Sequence, residues 1–194
     1  GVVMHPLASR RFTSTDYHTA GEPFRIVHEG GPIPPGATVA ERRVAAMADA
    51  DGADSVRRLL CQEPRGHADM YGGFVLPPDN EGAHFGVLFW HKDGFSTACG
   101  HGTIALGVRA TDTGLVPSNP NGCTEVRIDV PSGRVSATIE RSNGELVAAT
   151  FQNVSSHVIA RGLQVPTSRG VVPVDLSYSG AIYASVRAAD LDLS

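Results

Sequence analysis

Phe95-Ser96-Thr97-Ala98-Cys99-Gly100-His101-Gly102-Thr103-Ile104-Ala105-Leu106-Gly107-Val108-Arg109-Ala110 is the stretch that decides how this chain folds. A short strand signal runs into a glycine-flanked Cys-Gly-His, and an apolar helix follows, ending near Thr113-Gly114. Ile104, Ala105, Leu106, Val108 and Ala110 leave that helix without a polar face, so it must be buried. The small residues Gly102, Ala105 and Gly107 let strands pack closely around it. The expectation is a central helix wrapped by β-structure.

The same stretch places a thiol where it is easiest to ionise. Cys99 stands at the helix N-terminus, facing unpaired N–H groups and the positive end of the macrodipole, which predicts a thiol shifted from about 8.5 toward neutrality. The N–H groups of Gly100 and its neighbours are also positioned to hold a carboxylate or phosphate. One loop thus supplies a base and an anion clamp. The competing reading makes Cys99 a small buried hydrophobe.

Outward from this centre the signals are mostly strand-like. Arg11 to Asp16 and Phe24 to Glu29 read as strands separated by an Ala20-Gly21-Glu22-Pro23 turn. Thr38 with Glu41 resembles a capping box opening a helix through roughly Ala50, which Asp51-Gly52 interrupts, and a short helix follows near Asp54 to Leu60. Asp69 to Leu76 and His84 to Trp90 form a hairpin across Pro77 to Gly82. Thr124 to Val130, Arg134 to Ile139 and Leu146 to Gln152 read as a meander with turns at Pro131-Ser132-Gly133 and Ser142-Asn143-Gly144. A first domain is expected to span residues 1–152, and residues 153–194, with strands near Val171 to Ser177 and Ala181 to Val186, begin a second, incomplete one. A core without its own central helix is expected to be open there.

Composition narrows the function classes. With 41% hydrophobic and 19% charged residues the chain is ordinary globular material, neither disordered nor membrane-like. A net charge of −4 argues against a nucleic-acid partner. Lys92 is the only lysine and sits in the predicted turn His91-Lys92-Asp93-Gly94, a poor place for the Schiff base of a pyridoxal-phosphate racemase, so a thiol mechanism with no cofactor is the better expectation. Cys61, Cys99 and Cys123 are too far apart and odd in number for a disulfide framework, which points to a reducing cytoplasm. Cys61 and Cys123 read as buried and inert. No apolar run is long enough for a membrane span, and Gly1-Val2-Val3-Met4-His5-Pro6 lacks the core of a signal peptide, with Met4 read as the natural start. A homodimer is left open.

Three co-linear motifs carry a family resemblance. Cys99-Gly100-His101, Thr15-Asp16-Tyr17-His18-Thr19-Ala20-Gly21-Glu22-Pro23 and Glu63-Pro64-Arg65-Gly66-His67-Ala68-Asp69-Met70-Tyr71-Gly72 resemble the signatures of the proline racemase family, in its order and approximate spacing. The resemblance implies an α+β, diaminopimelate-epimerase-like fold, a β-barrel wrapped around a central helix, with the second domain incomplete in this chain. It implies cofactor-independent chemistry on proline or hydroxyproline: Cys99 as the base that exchanges the α-proton, and Gly100 and His101 as substrate-binding residues through their N–H groups, with His101 also reaching the ring nitrogen. The family's second catalytic position lies on a glycine-rich loop in the other domain, and no such loop occurs here. A two-base racemase needs an acid opposite Cys99, so this chain alone is not expected to racemise.

His91-x-x-Gly94-Phe95-Ser96-Thr97 and Ile104-Ala105-Leu106-Gly107 are more similar to the dehydratase branch than to the epimerase branch. That favours a trans-3-hydroxy-L-proline dehydratase, with proline racemase or 4-hydroxyproline 2-epimerase as the alternative. Glu63, Arg65 and His67 line the pocket or, preferably, brace the Cys99 loop, while Asp16 and His18 read as structural. A metal site built from His84, His91, Cys99 and His101 is not favoured, because no compact zinc-type ligand pair is present. Gly100-x-Gly102-x-x-Ala105 with Glu125 downstream also satisfies a dinucleotide-binding fingerprint, so an NAD-binding oxidoreductase is a rival from another class, as is a non-catalytic amino-acid-binding relative.

Overall fold

The computed structural model describes residues 10–19, 22–62, 66, 69–153, 160–167, 170–178, 182–187 and 191–192. In chain order the elements are β1 (Thr13–Thr19), β2 (Glu22–Glu29), α1 (Val39–Met47), α2 (Ala53–Cys61), β3 (Tyr71–Leu76), β4 (Phe85–His91) and β5 (Gly94–Phe95). There follow α3 (Gly100–Asp112), β6 (Gly122–Val130), β7 (Gly133–Ser142), β8 (Glu145–Asn153), β9 (Ala160–Thr167), β10 (Gly170–Tyr178), β11 (Ile182–Arg187) and β12 (Leu191–Asp192). The strands form one mixed sheet in the order β12-β1-β2-β3-β4-β6-β7-β8-β11-β10-β9, with β5 paired to β4. Pairing is antiparallel except where β3 joins β2 and β6 joins β4.

Helix α3 is the axis that its sequence predicts. Nine of its residues are buried, among them Ile104, Leu106 and Val108. Around it lie Tyr17 of β1, Phe24 of β2, Phe89 of β4, Ile128 of β6, Ile139 of β7 and Phe151 of β8. Gly107 permits the closest approach, since a Cβ there would stand 2.6 Å from the Cβ of Ala137. The two buried threonines of this helix are satisfied locally: Thr103 Oγ1 donates to the Cys99 carbonyl at 2.8 Å and Thr111 Oγ1 to that of Val108 at 2.9 Å.

Helices α1 and α2 cover the other face of β2, β3 and β4, enclosing a second core of Val27, Val56, Phe74, Leu88, Trp90 and Phe95. Strand β4 is therefore buried on both sides, Val87 and Phe89 facing α3 while Leu88 and Trp90 face α1 and α2. That explains why it reads as an unbroken apolar run rather than an alternating one. The capping box at Thr38 forms with a shift: Thr38 Oγ1 accepts from the Glu41 N–H at 3.2 Å, but the Glu41 carboxylate accepts from Ala37 N–H at 2.7 Å, one residue before the cap.

Element boundaries moved in places. Strand β1 runs on through His18 and Thr19, and β2 begins at Glu22, because Pro23 pairs with His18 and Glu22 with Thr19 instead of forming the turn. The meander turns lie where expected, with Asn143 at φ 51° and Gly144 at φ 79° making the left-handed pair a two-residue hairpin requires. Strand β9 was not expected; it pairs with β10, while β11 pairs with β8 and β12 with β1.

Candidate active site

The lead-in to Cys99 is pinned by backbone bonds on both sides. Ser96 N–H donates to the Phe89 carbonyl at 3.1 Å and Ser132 N–H to that of Thr97 at 3.1 Å. Cys99 then takes the extended N-cap conformation, φ −157° and ψ 109°, and its carbonyl accepts both the N–H and the hydroxyl of Thr103, at 3.0 and 2.8 Å. Helix geometry leaves the N–H groups of Gly100 and His101 without intrahelical acceptors, while Gly102 N–H donates to the Cys99 sulfur.

The thiol departs from its expectation. Cys99 is 9% exposed, and burial pushes it up to about 12 rather than down, the Gly102 N–H opposing this only in part. The helix dipole acts on an ion in water, whereas here removal of water from the sulfur is the larger effect. Its polar neighbour is the His101 imidazole, with Nδ1 3.5 Å and Nε2 3.7 Å from Sγ. Burial holds His101 below its ordinary range, and the Glu22 carboxylate acts in the opposite sense. At neutral pH the pair rests as a neutral thiol against a neutral imidazole.

Two rings confine that imidazole. Phe24 meets it edge-on with centroids 6.0 Å apart, and Tyr71 does so at 5.6 Å. Gly102 is what lets Phe24 in: a Cβ there would stand 2.5 Å from Cε2 of Phe24 and 3.1 Å from the Cys99 sulfur. Neither ring was singled out from the sequence. Tyr71 lies inside a quoted motif, and strand alternation in β3, with Val75 also packed on the inner core, is the signal that would have turned it toward α3.

Other candidates sort as follows. Glu63, Arg65 and His67 lie outside the described residues. Asp16 forms a two-point ion pair with Arg25, at 2.7 and 2.9 Å, a structural role as expected. Cys61 is half-buried and Cys123 is exposed, which corrects the reading of both as buried: the first half of β6 lies outside the inner core. His84 Nδ1 accepts from the Arg127 N–H at 2.9 Å, and among the described residues no cluster of three His, Cys, Asp or Glu is placed to hold a metal ion. Strand β6 does run parallel to β4, as a dinucleotide fold would need. However, α3 is enclosed by strands, whereas a dinucleotide-binding helix lies on one face of an open sheet.

The family described as "Proline racemase" matches over residues 14–194. The chain belongs to the proline racemase family. It is 44% identical over 178 residues to a trans-L-3-hydroxyproline dehydratase of Saccoglossus kowalevskii, covering 91% of this chain and 53% of that protein. Identity to a 3-hydroxyproline 2-epimerase of Burkholderia multivorans is 42% over 186 residues, covering 95% of this chain and 54% of the relative. Among solved structures, the hydroxyproline epimerase of Agrobacterium vitis with bound trans-4-hydroxy-L-proline superposes with a TM-score of 0.69 at 25% identity, over 89% of this chain and 50% of that one. The chain spans about half the length of the relatives it matches. Among the described residues no helix is long and apolar enough to cross a membrane.

Proposed function

We propose that this chain carries the Cys99 half of a cofactor-independent hydroxyproline enzyme, with trans-3-hydroxy-L-proline dehydratase as the preferred activity. The observation that carries the reading is the Cys99–His101 contact at 3.5 Å beside the free N–H groups of the α3 N-terminus. Those N–H groups of Gly100 and His101 bind the substrate carboxylate. Bound this way, the ring ammonium brings a positive charge near the sulfur that opposes the burial penalty, and neutral His101 accepts the thiol proton.

The chemistry then needs one face only. In trans-3-hydroxy-L-proline the carboxylate and the 3-hydroxyl lie on opposite faces, so the α-hydrogen and the hydroxyl share one. The Cys99 thiolate takes the α-proton, the C–H electron pair forms the C2–C3 double bond, and the C3–O bond breaks. The hydroxide leaves as water with a proton from the Cys99–His101 pair. The remaining enamine tautomerises to the cyclic imine, and no oxidant or reductant is consumed. Inversion at the α-carbon would need a second acid across the ring. Epimerisation remains the second reading because a 3-hydroxyproline 2-epimerase is as similar to this chain as several dehydratases are.

A reducing cytoplasm suits three free cysteines. The division at residues 152 and 153 belongs to the same proposal: β11, β10 and β9 continue the sheet outward from β8.

Proton NMR in D2O tests this reading. Trans-3-hydroxy-L-proline is expected to disappear into the cyclic imine, and Cys99→Ala to slow this by about 10²- to 10⁴-fold. Unchanged turnover in that variant would sink the assignment of Cys99; α-deuteration with inversion and no loss of water would make the enzyme an epimerase.

A further inference from the structure

Tyr71 contacts His91, His101 and Ser96, the last two within three residues of Cys99, and the mechanism above uses none of these contacts. It is the first residue of β3 and pairs directly with His91 of β4, whose ring lies 5.3 Å from its own at an interplanar angle of 36°. It also meets the His101 imidazole at 5.6 Å and 65°, within the range where edge-to-face rings attract. Its hydroxyl lies 3.5 Å from Ser96 Oγ, a long contact to the segment three residues before Cys99. Strand β3 can sit close enough for this because Gly72 follows: a Cβ there would enter the Trp90 ring and stand 2.5 Å from the Arg25 carbonyl oxygen.

We propose that Tyr71 is the positioning residue of the Cys99–His101 pair, its ring packing on the imidazole together with Phe24 to hold it at the sulfur and exclude water from both. This rests on the reading of Cys99 as the base. His101 Nδ1 and Nε2 stand 3.5 and 3.7 Å from Sγ, so the setting of the ring decides which nitrogen addresses the sulfur. Phe24 reaches His101 edge-on at 87°, and Tyr71 at 65°; together they fix the ring where one contact leaves it a hinge. Tyr71 acts through His101, and its hydroxyl serves mainly to tie the ring to the Ser96 lead-in.

The experiment reads each thiol separately. The protein and its Tyr71→Leu and Tyr71→Phe variants are alkylated with iodoacetamide between pH 7 and 10, and modification of Cys61, Cys99 and Cys123 is followed by mass spectrometry, alongside kcat and KM. Tyr71→Leu admits water, so Cys99 is expected to alkylate faster, roughly tenfold for each pKa unit regained, while Cys61 and Cys123 keep their rates. Over the same substitution kcat is expected to fall about tenfold to a hundredfold with KM little changed, because the base is misplaced rather than the carboxylate clamp. Tyr71→Phe, which keeps the ring, is expected to recover most of both properties. A more reactive thiol in a slower enzyme is what loss of positioning gives. Cys99 reactivity unchanged in Tyr71→Leu, or Cys61 and Cys99 rising together as in general loosening, would overturn the proposal. The alkylation arm needs no substrate, so failure of the dehydratase reading shows separately, as a wild-type protein that turns over no hydroxyproline.

Discussion

The two cores on either side of β4 are built from similar apolar residues and differ in how they hold one titratable group each, Arg57 in the outer core and Cys99 in the inner. Beneath α1 and α2, Arg57 is 5% exposed and its guanidinium is saturated: it pairs with Asp54 at 2.7 Å, donates to the carbonyls of His91 and Lys92 at 2.9 and 2.7 Å, and lies over the Phe95 ring. Around α3 the buried Cys99 thiol has a long contact with the His101 imidazole and the Gly102 N–H as its polar neighbours, beside the Gly100 and His101 N–H groups of the helix start. A fully paired charge fixes a turn; a sparsely paired thiol leaves capacity for a ligand. The outer core is where the chain is held, and the inner end of α3 is where it is left ready to react.

Removing Arg57 is the harshest test of this contrast. Arg57→Met leaves two turn carbonyls without their donor and Asp54 with Arg58 alone, and a loss of about 3 kcal/mol is expected in denaturant unfolding. If the cores are as separate as their contents suggest, the Cys99 alkylation rate in the still-folded fraction stays at the wild-type value; a parallel change would mean the β4–β5 turn transmits to the site. Gly107→Ala probes the inner core without touching the thiol. The new methyl would press on Ala137, and overpacking of about 2 kcal/mol outweighs the roughly 1 kcal/mol gained in helix propensity, so a net loss near 1 kcal/mol is expected. Stabilisation instead would show that β7 yields, and that α3 is gripped less tightly than the outer layer.

The same contrast decides what could be read beforehand. Helix α3, its burial and its cap at Cys99 were legible because an apolar helix without a polar face has one place to go. The β6–β8 meander was legible because Asn143-Gly144 states its turn. The outer core was not: α1 and α2 were foreseen as helices, but nothing in Val39 or Val56 says which face of which strand they cover. At the site, Cys99, Gly100 and His101 came from local sequence, whereas Tyr71 and Phe24 arrive from strands distant in the chain. The sign of the thiol shift was missed for a related reason, since the dipole is a local property and desolvation depends on everything packed around the sulfur.

That sign has a consequence for stability, and it supplies the finest test. The folded state holds Cys99 protonated beyond the ordinary value of 9.0, so above that pH the unfolded chain binds fewer protons and stability falls, at roughly 1 kcal/mol per pH unit for one such group. Cys61, also pushed up by burial, adds to the same limb. On the acid side His28, His84 and His101 are held below 6.5 by burial, so their contribution is present above that value and is lost as pH falls through their folded values. Melting temperature is therefore expected to peak between about 6.5 and 9. Comparing wild type with Cys99→Ala between pH 9 and 10, before the tyrosines titrate, isolates the inner core: the variant should lose the Cys99 part of the alkaline slope and keep the Cys61 part. Identical slopes would mean that Cys99 ionises as freely as an exposed thiol, and the difference between the two cores would then lie in their packing alone.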